Sequence, residues 1–104
     1  SNEQDIVLDL IDTYLENSPN TMESLRLAIE KLNSSEMQFY AHSLKSSSST
    51  FEATRLMQFC AELEKRGRQG LWDGVTEIFK QVQERYAAVV HELKDFKSRA
   101  NSSL

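Results

Sequence analysis

An all-α fold is predicted for this chain: an antiparallel four-helix bundle with an additional N-terminal helix lying across or capping one end. Three observations predict it. Glycine and proline are scarce, three and one in 104 residues, while Leu, Glu, Lys and Gln recur, which suits long helices and argues against strands joined by turns. Apolar residues return at intervals of three and four through most of the chain. The polar links between these stripes are short, as expected between antiparallel neighbours. The length fits one domain, residues 1–104, able to bury about two-thirds of the surface its unfolded form exposes.

The first helix is expected from about Glu3 to Asn17, with Ile6, Leu10, Ile11, Tyr14 and Leu15 facing inward. Ser18-Pro19 then ends it and opens a second helix: Ser18 is a good N-cap, and Pro19 fits the first helical position, where a missing N–H costs nothing extra. Met22, Leu25, Ala28, Ile29 and Leu32 carry that helix to Asn33-Ser34. Ser35-Glu36-Met37-Gln38 reads as a capping box for a third helix, striped by Met37, Tyr40, Ala41, Leu44 and Ser48. The serines from Ser46 onward and Thr50 weaken helical propensity, so the chain reverses there, with a low-complexity linker as the rival reading. Ser49-Thr50-Phe51-Glu52 reads as another capping box, so Glu52→Gly is expected to cost about 0.5–2 kcal/mol. Phe51, Leu56, Phe59, Cys60 and Leu63 stripe a fourth helix, stopped by Gly67 and Gly70. Asp73 is the expected N-cap of a fifth, carrying Val75, Ile78, Phe79, Val82, Tyr86, Val89, Leu93 and Phe96. Residues 98–104 are polar and are expected to fray.

Several function classes drop out. A net charge of −4 with intermixed signs leaves no basic stripe for nucleic acid, and Lys65-Arg66-Gly67-Arg68 lacks interleaved aromatics for stacking on bases. Two distant histidines and one cysteine give no familiar metal spacing. Triads, P-loops and dinucleotide fingerprints are missing. Cys60, alone and beside Leu56, Phe59 and Leu63, is expected to be buried and suits a reducing, cytoplasmic setting. No apolar run of about 18 residues offers a membrane span. The acids Asp5, Asp9, Asp12 and Glu16 read as a solvated face, and His91 as a surface residue. The start at Ser1-Asn2 suggests a domain cut from a longer protein.

One stretch calls for chemistry. On the third helix His42 points about 140° away from the centre of the apolar stripe, with Gln38, Phe39, Lys45, Ser46 and Ser49 around it on the outer side. A water-facing imidazole, with a pKa near 6.5, keeps an unprotonated ring nitrogen at neutral pH and so remains a nucleophile. Lys45 places an ammonium one turn along.

The frame His42-Ser43-Leu44-Lys45-Ser46-Ser47-Ser48, Phe51-Glu52-Ala53, Leu56, Cys60, Leu63-Glu64 resembles the histidine phosphotransfer (HPt) domain of two-component phosphorelays. That family's motif reads roughly H-x-L-K-G-S-S, a hydrophobic-Gly-Ala step, L-x-x-x-C and L-E. The resemblance implies that His42 accepts a phosphoryl group from a receiver-domain aspartate and returns it to another. It also implies that Lys45 is the electrostatic partner, that Mg²⁺ comes from the receiver rather than this domain, and that the isolated domain is a monomer. Gln38 and Ser46 are possible orienting groups, and Phe39 and Ser49 complete a docking face. Ser46 and Glu52 stand where the family usually has glycine, which keeps open a helical module that binds receivers without being phosphorylated. The helical hairpin of a histidine kinase is a third possibility, but Ser43 and the lack of any proline after Pro19 count against it. The place in a larger protein favoured by this reading is the C-terminal domain of a hybrid sensor histidine kinase.

Overall fold

The computed structural model describes residues 2–102, which form four helices: α1 (Glu3–Glu30), α2 (Ser34–Ser49), α3 (Thr54–Gln69) and α4 (Val75–Ser102). Each helix packs on the next in chain order, and α4 closes the ring against α1. Short links at 31–33, 50–53 and 70–74 impose the alternating direction. None of the helices is long and apolar enough to cross a membrane.

The additional N-terminal helix does not exist as a separate element, because α1 runs straight through Pro19. Proline in a helix interior forfeits one backbone hydrogen bond and crowds the preceding turn, a cost of about 3 kcal/mol. Packing on both sides of the proline offsets this: Tyr14, Ser18, Leu25 and Ala28 are all buried against the bundle. Ser18 is not an N-cap. Its hydroxyl donates back to the Tyr14 carbonyl (2.6 Å), which leaves its oxygen to accept from the Tyr86 hydroxyl of α4 (2.7 Å). The residue read as a helix start is instead a bolt between α1 and α4.

Other boundaries move for equally local reasons. Asn33 rather than Ser35 caps α2, its side-chain oxygen accepting from the Glu36 N–H. The serines do not end α2 early; Ser48 is fully buried and bonded to the Tyr14 hydroxyl at 2.8 Å, and the helix continues to Ser49. The capping box at Ser49 is overturned. Glu52 lies in a left-handed conformation (φ 52°), and α3 starts from Ala53 without a side-chain cap. Gly70 (φ 67°) stops α3 as expected, whereas Gly67 lies inside the helix. At the α4 start, Asp73 contributes only its carbonyl, which accepts from Arg66 (2.7 Å), and the Gly74 carbonyl accepts from Ile78. The tail is helical to Ser102, with Ala100 buried; residues 103–104 of the expected frayed end lie outside the described residues.

The main core joins Leu25, Ala28, Met37, Ala41, Leu44, Leu56, Cys60, Leu63 and Val82, with Val75, Ile78 and Phe79 from the start of α4. A second cluster, Ile11, Tyr14 and Leu93 with Phe51 against them, closes the end at the α2–α3 turn. Beyond it α1 and α4 outrun the shorter hairpin. Ile6, Leu10 and Phe96, expected inside, are therefore left exposed, as is Val7.

Candidate functional site

The site sits on the seam between α2 and α3, where the two helices pack tightly at Gly67. A Cβ on that residue would lie 2.7 Å from the Gln38 backbone nitrogen and 2.8 Å from the Ser34 carbonyl oxygen. Glycine is therefore required for close approach, not for ending the helix. One turn earlier on α3, Glu64 is drawn against the outer edge of α2.

His42 projects from α2 with 59% of its side chain exposed, as its place off the apolar stripe requires. Its Nδ1 lies 2.9 Å from Glu64 Oε2, and Lys45 Nζ donates to the other carboxylate oxygen, Oε1, at 2.6 Å. Arg68 Nη2 stands 3.6 Å from Oε2. The Glu64 side chain is only 11% exposed. Burial works against its charged form, but the hydrogen bonds from Lys45 and His42 and their charges prevail, holding the carboxyl below the ordinary glutamate range.

A carboxylate only accepts hydrogen bonds, so the proton of the neutral ring resides on Nδ1. Nε2 then carries the lone pair and has no hydrogen-bond partner among the described residues. The arrangement is a half-exposed nitrogen nucleophile, held in one tautomer by a buried carboxylate that is itself held by a lysine.

The remaining expected residues divide. Phe39 is 65% exposed, its ring edge-on to Tyr40 at 5.1 Å, and it lines a shallow depression with Ser35, Gln38, His42 and Glu64. Ser46 and Ser49 are exposed on the same helix, and the Ser49 hydroxyl turns back to the Ser46 carbonyl. Gln38 is half-buried at the Gly67 crossing. Neither Gln38 nor Ser46 is hydrogen-bonded to the ring among the described residues; Glu64 has that role. Glu64 belongs to the motif His42 to Glu64 but is not among the site residues that the sequence alone predicts. The available signal was an acid four residues after Cys60, at the margin of the buried face of α3. Cys60 is buried, and burial pushes its thiol up to about 12, which keeps it protonated.

Comparison with known proteins agrees with this fold. No curated protein sequence is significantly similar to the chain. The crystal structure of histidine-containing phosphotransfer protein B (HptB) from Pseudomonas aeruginosa PAO1 superposes with a TM-score of 0.87 at 28% sequence identity, over 93% of this chain and 84% of that one. The Hpt domain family matches residues 9–98, nearly the whole bundle. With a four-helix ring presenting one histidine on its second helix, and with that match across it, the chain belongs to the Hpt domain family.

Proposed function

We propose that this chain relays a phosphoryl group between aspartates of receiver domains as a phosphohistidine at His42. The observation that carries the reading is the Nδ1–Glu64 hydrogen bond, which leaves the exposed Nε2 with its lone pair. In the first transfer, Nε2 attacks the phosphorus of a receiver's aspartyl phosphate; the P–Nε2 bond forms, the P–O bond breaks, and the aspartate leaves as carboxylate. The Nδ1 proton stays in place, so the phosphorylated ring is an imidazolium facing the negative Glu64. In the second transfer, another receiver's aspartate attacks phosphorus and Nε2 leaves with its electron pair, restoring the neutral ring. Because the ring leaves as a neutral imidazole rather than an anion, return of the phosphoryl group is easy. No base is needed in either direction.

Phosphoryl transfer is governed by in-line positioning and charge stabilisation. Lys45 supplies positive charge from this side, and the receiver supplies its own Mg²⁺. The outer face of α2 is the docking surface: Phe39 offers an apolar contact, and the small Ser46 and Ser49 let a partner approach the ring. Gln38 borders that surface. We further place the module in the cytoplasm, as a monomer at the C-terminal end of a hybrid sensor histidine kinase. Sequence on either side of this segment tests the placement, and a free-standing reading frame would contradict it.

The transfer itself is tested by incubation with a phosphorylated receiver and Mg²⁺, following acid-labile phosphate on wild type and His42→Gln. Label on wild type and none on the variant is expected. A wild type that binds several receivers but takes label from none would identify a docking module instead.

A further inference from the structure

We infer that Arg68 is a positioning residue that takes over the Glu64 carboxylate when Lys45 turns to the phosphoryl group on His42. The inference rests on the function proposed above and concerns how its charges are rearranged. Before transfer, Glu64 is buried and needs cationic partners to remain ionised at low cost, and its closest one is Lys45 at 2.6 Å. Transfer brings about two negative charges to the ring. Lys45, three residues from His42 and on the same side of α2, is within reach of them. A single lysine serving both groups must either leave the buried carboxylate with only the imidazolium beside it or leave the phosphoryl group without its cation.

Arg68 resolves that conflict. It lies four residues beyond Glu64 on α3, its Nη2 is 3.6 Å from Oε2, and its side chain is 57% exposed. That distance is just outside hydrogen-bonding range, so the guanidinium is attracted but not yet bound. The neighbouring Arg66 is occupied, donating to the Asp73 carbonyl at 2.7 Å and facing Glu62. Among the described residues, the ion-pair partner of Arg68 is Glu64. When Lys45 departs, a small rotation of the exposed arginine closes the gap, and the carboxylate keeps both its charge and its hold on Nδ1. The buried anion thus has Lys45 as its hydrogen-bonded cation in the resting state and Arg68, beside the imidazolium, in the phosphorylated state.

The experiment measures the equilibrium between phosphorylated receiver and phospho-His42 for wild type, Arg68→Ala and Arg68→Lys, together with receiver binding by the unphosphorylated proteins. Arg68→Ala is expected to lower the phospho-His42 side of the equilibrium about two- to fivefold, the scale of a partly exposed ion pair. Arg68→Lys is expected to restore most of that loss, and receiver binding before transfer to stay unchanged. An equilibrium for Arg68→Ala equal to that of labelled wild type overturns the inference, as does a loss that lysine fails to restore. An equal weakening of receiver binding before transfer overturns it too, making Arg68 a docking contact. Absence of label on wild type instead removes the underlying function, a result recognisably different from these.

Discussion

Two carboxylate-cation clusters in this molecule use the same chemistry with different consequences. On the outer side of α1, Arg26 binds Glu23 (2.7 Å) and Glu30 (2.8 Å), with all three side chains well exposed. On the α2–α3 seam, Glu64 binds His42 and Lys45 at 2.9 and 2.6 Å, with the carboxylate nearly out of water. Both sets drive a glutamate below its ordinary range: Glu23 mainly through its hydrogen bond to Arg26, Glu64 through Lys45 and His42 against the opposing effect of burial. Short distances therefore do not distinguish them. Burial does, since a solvated pair trades one set of water contacts for another, while a buried carboxylate depends on the partners the fold supplies.

The comparison can be broken most severely at Gly67, whose missing side chain permits the seam. Gly67→Ala forces α2 and α3 apart or distorts the crossing at Gln38, and a loss of about 1–3 kcal/mol is expected in urea unfolding. Phosphoryl transfer should fall with it as Glu64 is pulled from His42, whereas the α1 cluster should be unaffected. Unchanged stability would mean that the two helices can slide apart freely.

Glu64→Leu attacks the seam cluster itself. For a metal-bound histidine, losing the partner on the second ring nitrogen costs about ten- to a hundredfold in affinity or activity, and a drop on that scale is expected here in transfer rate. Glu64→Gln, which can still accept from Nδ1–H through its amide oxygen, should retain more activity than the leucine variant. The carboxyl also makes a pH prediction. Because its folded pKa lies below the unfolded value, its contribution to stability is complete above the ordinary glutamate pKa of about 4.3 and is lost as pH falls through the lower folded value. Acid unfolding of Glu64→Leu, compared with wild type, should lack that part of the decline. An identical pH dependence would remove Glu64 from the acid response.

Glu52 tests the turn that joins the two seam helices. Its left-handed backbone is one that glycine adopts without penalty, so Glu52→Gly is expected to raise stability by about 1 kcal/mol, the reverse of the capping-box expectation. A lower melting temperature would restore the capping explanation. Smallest of all, Arg26→Ala on the exposed cluster should leave melting temperature and transfer rate indistinguishable from wild type. A clear loss of either would show that exposure is a poor guide to which cluster matters.

Much of this was legible in residue order. The stripe through Met37, Ala41 and Leu44 placed His42 outside because helical geometry leaves it nowhere else to point. Buried Cys60 and Leu63 followed from the same rule. What local rules misjudged were residues whose role depends on a distant helix. Ser18-Pro19 has every local mark of a break, yet the Tyr86 hydroxyl, 68 residues away, anchors Ser18 inside a continuous α1. Gly67 looks like a stop until α2 is laid against it. Ile6, Leu10 and Phe96 have core spacing, but α2 and α3 are too short to cover them. Glu64 is the functional case: an acid at the margin of an apolar stripe becomes part of a site only when His42 and Lys45 arrive from another helix.

The most direct test is the position of phosphorus on the ring. After transfer from a phosphorylated receiver, nitrogen-15 and phosphorus-31 NMR on histidine-labelled protein should show phosphorus coupled to Nε2 of His42, with the proton on Nδ1. Phosphorus on Nδ1, or on any residue other than His42, would contradict the assignment of Glu64 as the group that holds one nitrogen and frees the other.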